Sequence, residues 1–128
     1  MKMSAYKILI IGLGGFLGSV ARYVTAKFID DKLSPAFPYG TLTVNILGSF
    51  LLGILYIIAL RKAGLTENGR LFLGVGFCGG FTTFSAFALE NFGLMQEKLV
   101  GTSVLYVSLS VVGGILALVA GVWVARFV

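Results

Sequence analysis

Four long apolar stretches are the feature that most constrains the fold of this chain. They cover residues 5–28, 39–60, 71–95 and 100–127, and short connections with most of the charged side chains separate them. A helix needs about 20 predominantly apolar residues to cross a bilayer, so each stretch is long enough for one crossing. The pattern predicts an all-α integral membrane protein with four transmembrane helices in a single domain, residues 1–128.

The composition excludes a water-soluble enzyme. Hydrophobic residues make up 58% of the chain and charged residues 12%, whereas soluble domains average about 45–50% and about 25%. The chain has one cysteine and no histidine, which argues against an intrachain disulfide and against a zinc or haem site. We therefore expect neither enzymatic chemistry nor nucleic-acid binding. A chain of this length is also expected to need a second copy to enclose a pathway.

Basic residues are divided almost evenly between the two sides of the membrane. With four spans, one side holds six and the other holds four, and the positive-inside rule reads this difference as a weak signal. Such a chain can insert in both orientations, so that two copies pair antiparallel. Alternatively the first helix fixes one orientation, and the count alone does not decide. The six are Lys2, Lys7, Arg61, Lys62, Arg70 and Arg126, and the four are Arg22, Lys27, Lys32 and Lys98.

The third stretch is predicted to be a broken helix. Two glycines at residues 79–80 precede two β-branched threonines at residues 82–83, in mid-membrane where helix propensity is most needed. A break exposes main-chain carbonyls and amides, which is tolerated only when they are buried in protein or face a cavity. Such breaks often hold ions. An intact helix with a tight glycine contact is the alternative.

Two polar stripes run along the other spans. Asn45 and Ser49 share a face of the second span, and Tyr106 and Ser110 share a face of the fourth. Neutral donors of this kind either line a pore or bond one helix to another. In the third span, Phe84 and Phe87 flank Ser85. Phenyl rings have positive edges that can replace part of the hydration shell of an anion, although such a pair is also typical of core packing.

Two ionisable side chains lie towards the ends of their spans. Arg22 and Glu90 can both extend to the interface from these positions. We expect Glu90 to lie at an interface or vestibule. We expect Arg22 either to lie at an interface in the same way or to raise the local concentration of anions at an entrance.

Three runs of sequence together resemble the Fluc (CrcB) family of fluoride channels. The run at residues 79–87, GGFTTFSAF, is similar to the third-helix signature of that family. The run at 14–23, GGFLGSVARY, resembles its first-helix motif, and the run at 40–48, GTLTVNILG, resembles its second. The resemblance covers about the whole chain in the right order.

This resemblance implies a fold and a function. Members of the family are four-helix proteins that form antiparallel, dual-topology homodimers with two fluoride pathways and a structural sodium ion between the subunits. They release toxic fluoride passively from the microbial cytoplasm. The chain is therefore expected to be a multi-pass protein of the cytoplasmic (inner) membrane that confers fluoride resistance, with fluoride, a second copy and the bilayer as its partners.

The resemblance also implies roles for particular residues. Fluoride would meet the side chains of Asn45, Phe84, Ser85, Phe87, Tyr106 and Ser110. Main-chain carbonyls of Gly79 and Thr82 would hold the sodium, and Arg22 would lie near the aqueous vestibule. Two positions depart from the family pattern, because Ala86 and Gly114 stand where members often carry a hydroxyl.

Two other functions are compatible with a small four-helix chain. A small multidrug-type, proton-coupled exporter needs a carboxylate inside the membrane, and the only acid well inside a span is Glu90, late in the third. A membrane assembly subunit would transport nothing. Ion flux from the reconstituted protein distinguishes the channel from both.

Overall fold

Four segments long and apolar enough to cross a membrane make up most of the computed structural model, which describes residues 2–128. They are Ala5–Lys32, Tyr39–Leu60, Glu67–Gln96 and Val100–Ala125. The described residues contain no strand. The predicted all-α architecture with four membrane-capable helices is therefore confirmed.

The ends of the first and third segments differ from the sequence expectation. The first helix, α1, continues to Lys32 and so includes the acidic pair at 30–31, which the hydropathy pattern assigns to a connection. The third segment begins at Glu67 instead of residue 71, and the Thr66 hydroxyl caps its start by accepting from the amide of Gly69 at 3.1 Å. Charged residues fit these end turns because the end of a membrane helix reaches the headgroups.

The third segment consists of two helices separated by an extended dipeptide. Thr82 has φ −88° and ψ 157°, and Thr83 has φ −151° and ψ 122°, so neither residue is helical. The break that the sequence predicts is thus present, at the two threonines. We name the helix before it α3 (residues 67–81) and the helix after it α4 (Phe84–Gln96); α2 is Tyr39–Leu60 and α5 is Val100–Ala125. Within α3, the central part, Leu71–Cys78, is a π-helix.

The threonines themselves explain why the chain breaks there and restarts. The Thr83 hydroxyl accepts from the amide of Ala86 at 3.2 Å, which is the cap geometry that begins a helix. The Thr82 hydroxyl donates to the carbonyl of Cys78 at 2.9 Å and so bonds to the last turn of α3. The Thr83 side chain thus satisfies an amide that an uninterrupted helix would pair internally, while Thr82 adds a second bond to a carbonyl that its own amide already pairs at 3.0 Å.

Glycines bring the helices into main-chain contact. A Cβ at Gly80 would lie 2.6 Å from the carbonyl oxygen of Gly15, so α1 and α3 pack without intervening side chains. A Cβ at Gly53 would overlap the carbonyl of Leu118, and one at Gly121 would overlap the carbonyl of Phe50, so α2 and α5 are equally close. Small residues have this role in membrane helices generally. A Cβ at Gly48 of α2 would overlap the side chain of Thr82, so the break lies directly against α2.

Candidate functional site

A cavity of about 380 Å³ lies beside the break in the third segment, and we call it the central cavity. It brings together four of the six residues predicted to line an ion path, from α2, α4 and α5. None of the described residues that line it is charged. Its polar and aromatic lining consists of Asn45, Ser49, Thr82, Thr83, Phe84, Phe87 and Ser110, and Gly79 also lines it.

Asn45 is bonded to the broken backbone. Its Nδ2 donates to the carbonyl of Thr83 at 3.0 Å, and its Oδ1 accepts from the amide of Thr83 at 2.7 Å. A carboxamide has two N–H donors, so one remains for the cavity after this pairing. Asn45 therefore holds the break in position and still has a donor for a ligand.

The Ser110 hydroxyl is the buried polar atom without a partner among the side chains of residues 2–128. Ser110 also lines the central cavity. Buried hydroxyls nearly always have a hydrogen-bond partner. An unpaired hydroxyl on a cavity-lining residue can rotate to meet a ligand.

Phe84 and Phe87 lie side by side on the cavity wall. Their ring centroids are 5.5 Å apart and the rings are tilted by 44°. Phe84 is 79% exposed even though it lines the cavity. The described residues therefore cover only part of this ring.

Ser85 and Arg22 face a different cavity, which lies between α1, α2 and the break and which we call the α1 cavity. Its volume is about 530 Å³. Arg22 donates through Nη1 to the carbonyl of Thr82 at 3.3 Å, and the Ser85 hydroxyl lies 3.3 Å from that of Thr83. Ala86, one of the departures from the family pattern, also lines this cavity. Arg22 is thus in contact with the break as well as with the cavity.

Tyr106 lines neither cavity, because it is completely buried between helices. Its hydroxyl donates to Oε2 of Glu90 at 3.4 Å, while Oε1 of Glu90 accepts from the Thr41 hydroxyl at 2.6 Å. Its ring meets Phe87 edge to face, with centroids 5.1 Å apart. Tyr106 therefore connects the phenylalanine pair to a carboxylate shared by three helices.

Sequence reasoning gave Thr41 no role and placed Glu90 only at an interface or vestibule. Glu90 is half-buried and lines a third cavity of about 460 Å³, the outer cavity, at the ends of α1 and α4. The sequence contained a signal for both residues. Thr41 lies one turn before Asn45 on the same helix face, and Glu90 lies three residues after Phe87.

The break also frees main-chain carbonyls that could hold a cation. The amide of Thr83 donates to Asn45 and so does not pair with the carbonyl of Gly79, its partner in a continuous helix. Gly79 and Thr82 both line the central cavity, and carbonyl oxygens suit hard cations. No group of three or more acidic, cysteine or histidine side chains in the described part of the chain could hold a metal. A cation here would depend on the main chain.

The fold and the site together define a multi-pass membrane protein whose third span is broken beside an uncharged polar cavity. The family described as "CrcB-like protein, Camphor Resistance (CrcB)" matches residues 9–122. The chain belongs to this family.

Similar proteins cover nearly the whole chain. A protein of Chlorobium chlorochromatii named fluoride-specific ion channel FluC is 45% identical over 123 residues, which are 96% of this chain and 95% of that protein. A protein of the same name from Bacteroides fragilis is 46% identical over 118 residues, 90% of this chain and 92% of the relative. Another from Azobacteroides pseudotrichonymphae is 43% identical over 121 residues, 94% and 97% of the two chains.

Proposed function

We propose that this protein is a fluoride-selective channel, and not an enzyme, that lets fluoride leave the cytoplasm passively across the inner membrane of a microbe. Relatives with the name fluoride-specific ion channel match it almost end to end. The observation that carries the proposal is the lining of the central cavity, where two phenylalanine rings meet uncharged donors. The expected consequence for the cell is resistance to fluoride.

The cavity chemistry suits a small anion that must lose its water and then move on. Fluoride is strongly hydrated, so its entry needs replacement donors, and Asn45 and Ser110 supply an N–H and an O–H. The positive edges of Phe84 and Phe87 supply further weak contacts. Conduction needs binding that is favourable enough for entry and weak enough for release, which neutral groups provide better than a fixed cation.

The proposal includes an antiparallel homodimer with two ion paths. Phe84 is 79% exposed in one copy, and an irregular backbone within a membrane is tolerated only when protein or a cavity covers it. A second copy packed on this face supplies that cover and completes the cavity wall. The weak six-to-four division of basic residues supports insertion in both orientations.

A structural sodium ion between the two copies is a further part of the proposal. The free carbonyl of Gly79 supports it, together with the carbonyl of Thr82, which Arg22 leaves with one open lone pair. Carbonyls of both copies would share the ion, whose charge would stabilise their converging dipoles. If so, replacing sodium by N-methylglucamine should lower the thermal stability of the dimer. An unchanged melting temperature would remove this part of the proposal.

Fluoride efflux from proteoliposomes tests the proposed channel. The wild-type protein should dissipate a fluoride gradient and leave a chloride gradient intact. Phe84→Ile and Phe87→Ile should each abolish fluoride efflux, because a branched aliphatic side chain has no positive edge. Phe92→Ile is the matched control, since Phe92 is on the same helix but is 56% exposed and lines none of the three cavities.

Two results would contradict the proposal. Wild-type liposomes that retain fluoride would indicate an assembly subunit instead of a channel. Undiminished efflux from both Phe84→Ile and Phe87→Ile would show that the phenylalanine pair is not in the ion path.

A further inference from the structure

Four aromatic rings form a continuous row that extends beyond the phenylalanine pair. Phe84 and Phe87 begin it at the central cavity, Tyr106 follows, and Phe37 ends it. The centroids are 5.5 Å, 5.1 Å and 5.4 Å apart in that order. Phe37 lies on the wall of the outer cavity, so the row joins the two cavities.

Phe37 is held firmly, although it belongs to the short connection between α1 and α2. The amide of Tyr39 donates to the carbonyl of Phe37 at 2.9 Å, and the two rings are 4.8 Å apart. Pro38 fixes the backbone on one side of Phe37. Asp30 of α1 accepts from the amide of Gly40 at 2.8 Å, which ties α1 to the start of α2. The connection therefore presents one ring in one place.

The ring of Tyr106 is held between two edge-to-face contacts. Phe37 meets it at an interplanar angle of 71° and Phe87 meets it at 63°. This geometry sets the positive edge of one ring against the negative face of another and so fixes orientation as well as distance. With both contacts in place, the Tyr106 hydroxyl points at the carboxylate of Glu90.

We propose that Phe37 is a positioning residue of the ion path, which acts by holding Tyr106 so that its hydroxyl stays directed at Glu90 between the central and outer cavities. This inference rests on the proposed fluoride channel. It assigns a role in conduction to a residue of the connection between α1 and α2, outside the three runs of sequence that resemble the family. Loss of the Phe37 ring frees Tyr106 to turn away, and the path between the two cavities is then misaligned.

Unitary fluoride currents in planar bilayers test the proposal, because the current through one channel does not depend on how much protein has folded. Phe37→Leu should lower the unitary current roughly twofold to tenfold, the range that corresponds to one aromatic contact. Phe37→Tyr keeps the ring and should conduct like the wild type. Phe28→Leu is the control, because Phe28 is 59% exposed near the same end of α1 and its ring lies 4.2 Å from the ammonium of Lys32, away from the aromatic row.

A double variant isolates the route through Tyr106. Tyr106→Phe keeps the ring and removes the hydroxyl, so it should lower the current by itself. Adding Phe37→Leu to Tyr106→Phe should then change little, since the hydroxyl that Phe37 positions is already absent. If Phe37 contributed only to packing, the two reductions would multiply.

The outcomes separate this inference from the channel itself. A wild type without fluoride current contradicts the proposed function. A conducting wild type together with a Phe37→Leu current equal to it, or a Phe37→Tyr current as low as that of Phe37→Leu, overturns the role of Phe37 alone. Phe37→Met serves as a second aliphatic variant, and failure of both aliphatic variants to assemble assigns Phe37 to folding and also overturns the proposal.

Discussion

At the scale of single residues, Asn45 and Thr83 show how a helix can stop inside a membrane. The main-chain amide of Thr83 loses its helical partner, the carbonyl of Gly79, at the break, and an unpaired group of this kind is costly away from water. The side-chain amide of Asn45 accepts from this amide at 2.7 Å and donates to the carbonyl of Thr83 at 3.0 Å. One side chain of α2 therefore replaces the hydrogen bond that the Thr83 amide loses and adds one to the carbonyl that begins α4.

Removing this pairing should destabilise the break. Asn45→Ala leaves the buried N–H of Thr83 without a partner, at a cost of about 1–3 kcal/mol. We expect a lower melting temperature of the detergent-solubilised protein and slower fluoride efflux. Asn68→Ala is the control, because Asn68 is exposed at the start of α3. Equal melting temperatures for the two variants would mean that the pairing contributes nothing to stability.

At the scale of helices, the site depends on how closely α2 and α5 approach. α2 carries Asn45 and α5 carries Ser110, and the two helices meet where Gly53 lies against the main chain of Leu118. A larger residue at this contact must push the helices apart. Both donors would then move away from the cavity that they share.

A pair of glycine substitutions tests this contact. Gly53→Ala should destabilise the protein, because its Cβ would overlap the carbonyl of Leu118 and lie 3.0 Å from the amide nitrogen of Val122. Gly12→Ala should be neutral or stabilising, since nothing lies within 4 Å of that Cβ and alanine favours a helix by up to about 1 kcal/mol. Thermal unfolding of the two variants measures the difference. Equal stability of the two would show that the helices can separate at no cost.

Features that lie within one helix could be predicted from the sequence, and contacts between helices could not. Apolar length predicts the four helices, and the glycines and threonines at 79–83 predict the break. The bonds from Thr41 and Tyr106 to Glu90 join three helices, and spacing within a single helix carries no information about such partners. For the same reason the sequence suggested Asn45 as a donor, but it did not reveal that the main chain of Thr83 bonds to both Nδ2 and Oδ1 of Asn45.

At the scale of the whole molecule, we propose that a second copy covers the exposed surface beside the break. Phe84 is exposed next to the extended backbone of Thr82 and Thr83, and irregular backbone in a membrane is tolerated where protein or a cavity covers it. An antiparallel partner related by a two-fold axis in the membrane plane brings the same break to the same depth. Such a dimer needs the chain to insert in both orientations, and the near-even division of basic residues is the proposed basis for this.

Changing that division should therefore control assembly. The double variant Lys32→Gln with Lys98→Asn changes the division of basic residues between the two sides from six and four to six and two. Asparagine suits position 98, where φ is 61°. This chain should insert in one orientation, form no antiparallel dimer and give no fluoride efflux after purification from membranes. Lys32→Arg with Lys98→Arg preserves the count and serves as the control.

Co-expression with an oppositely biased chain should restore both the dimer and the efflux. That chain needs fewer basic residues on the side that holds six. Removing four of these six leaves two basic residues on that side and four on the opposite side. Lys7 and Arg61 are kept in it because they bond to Glu67 and to the carbonyl of Ala125. The substitutions are Lys2→Gln, Lys62→Gln, Arg70→Gln and Arg126→Gln. Full efflux from the six-to-two chain expressed alone would rule out an antiparallel dimer. Copies that all insert in one orientation would then conduct fluoride without an inverted partner.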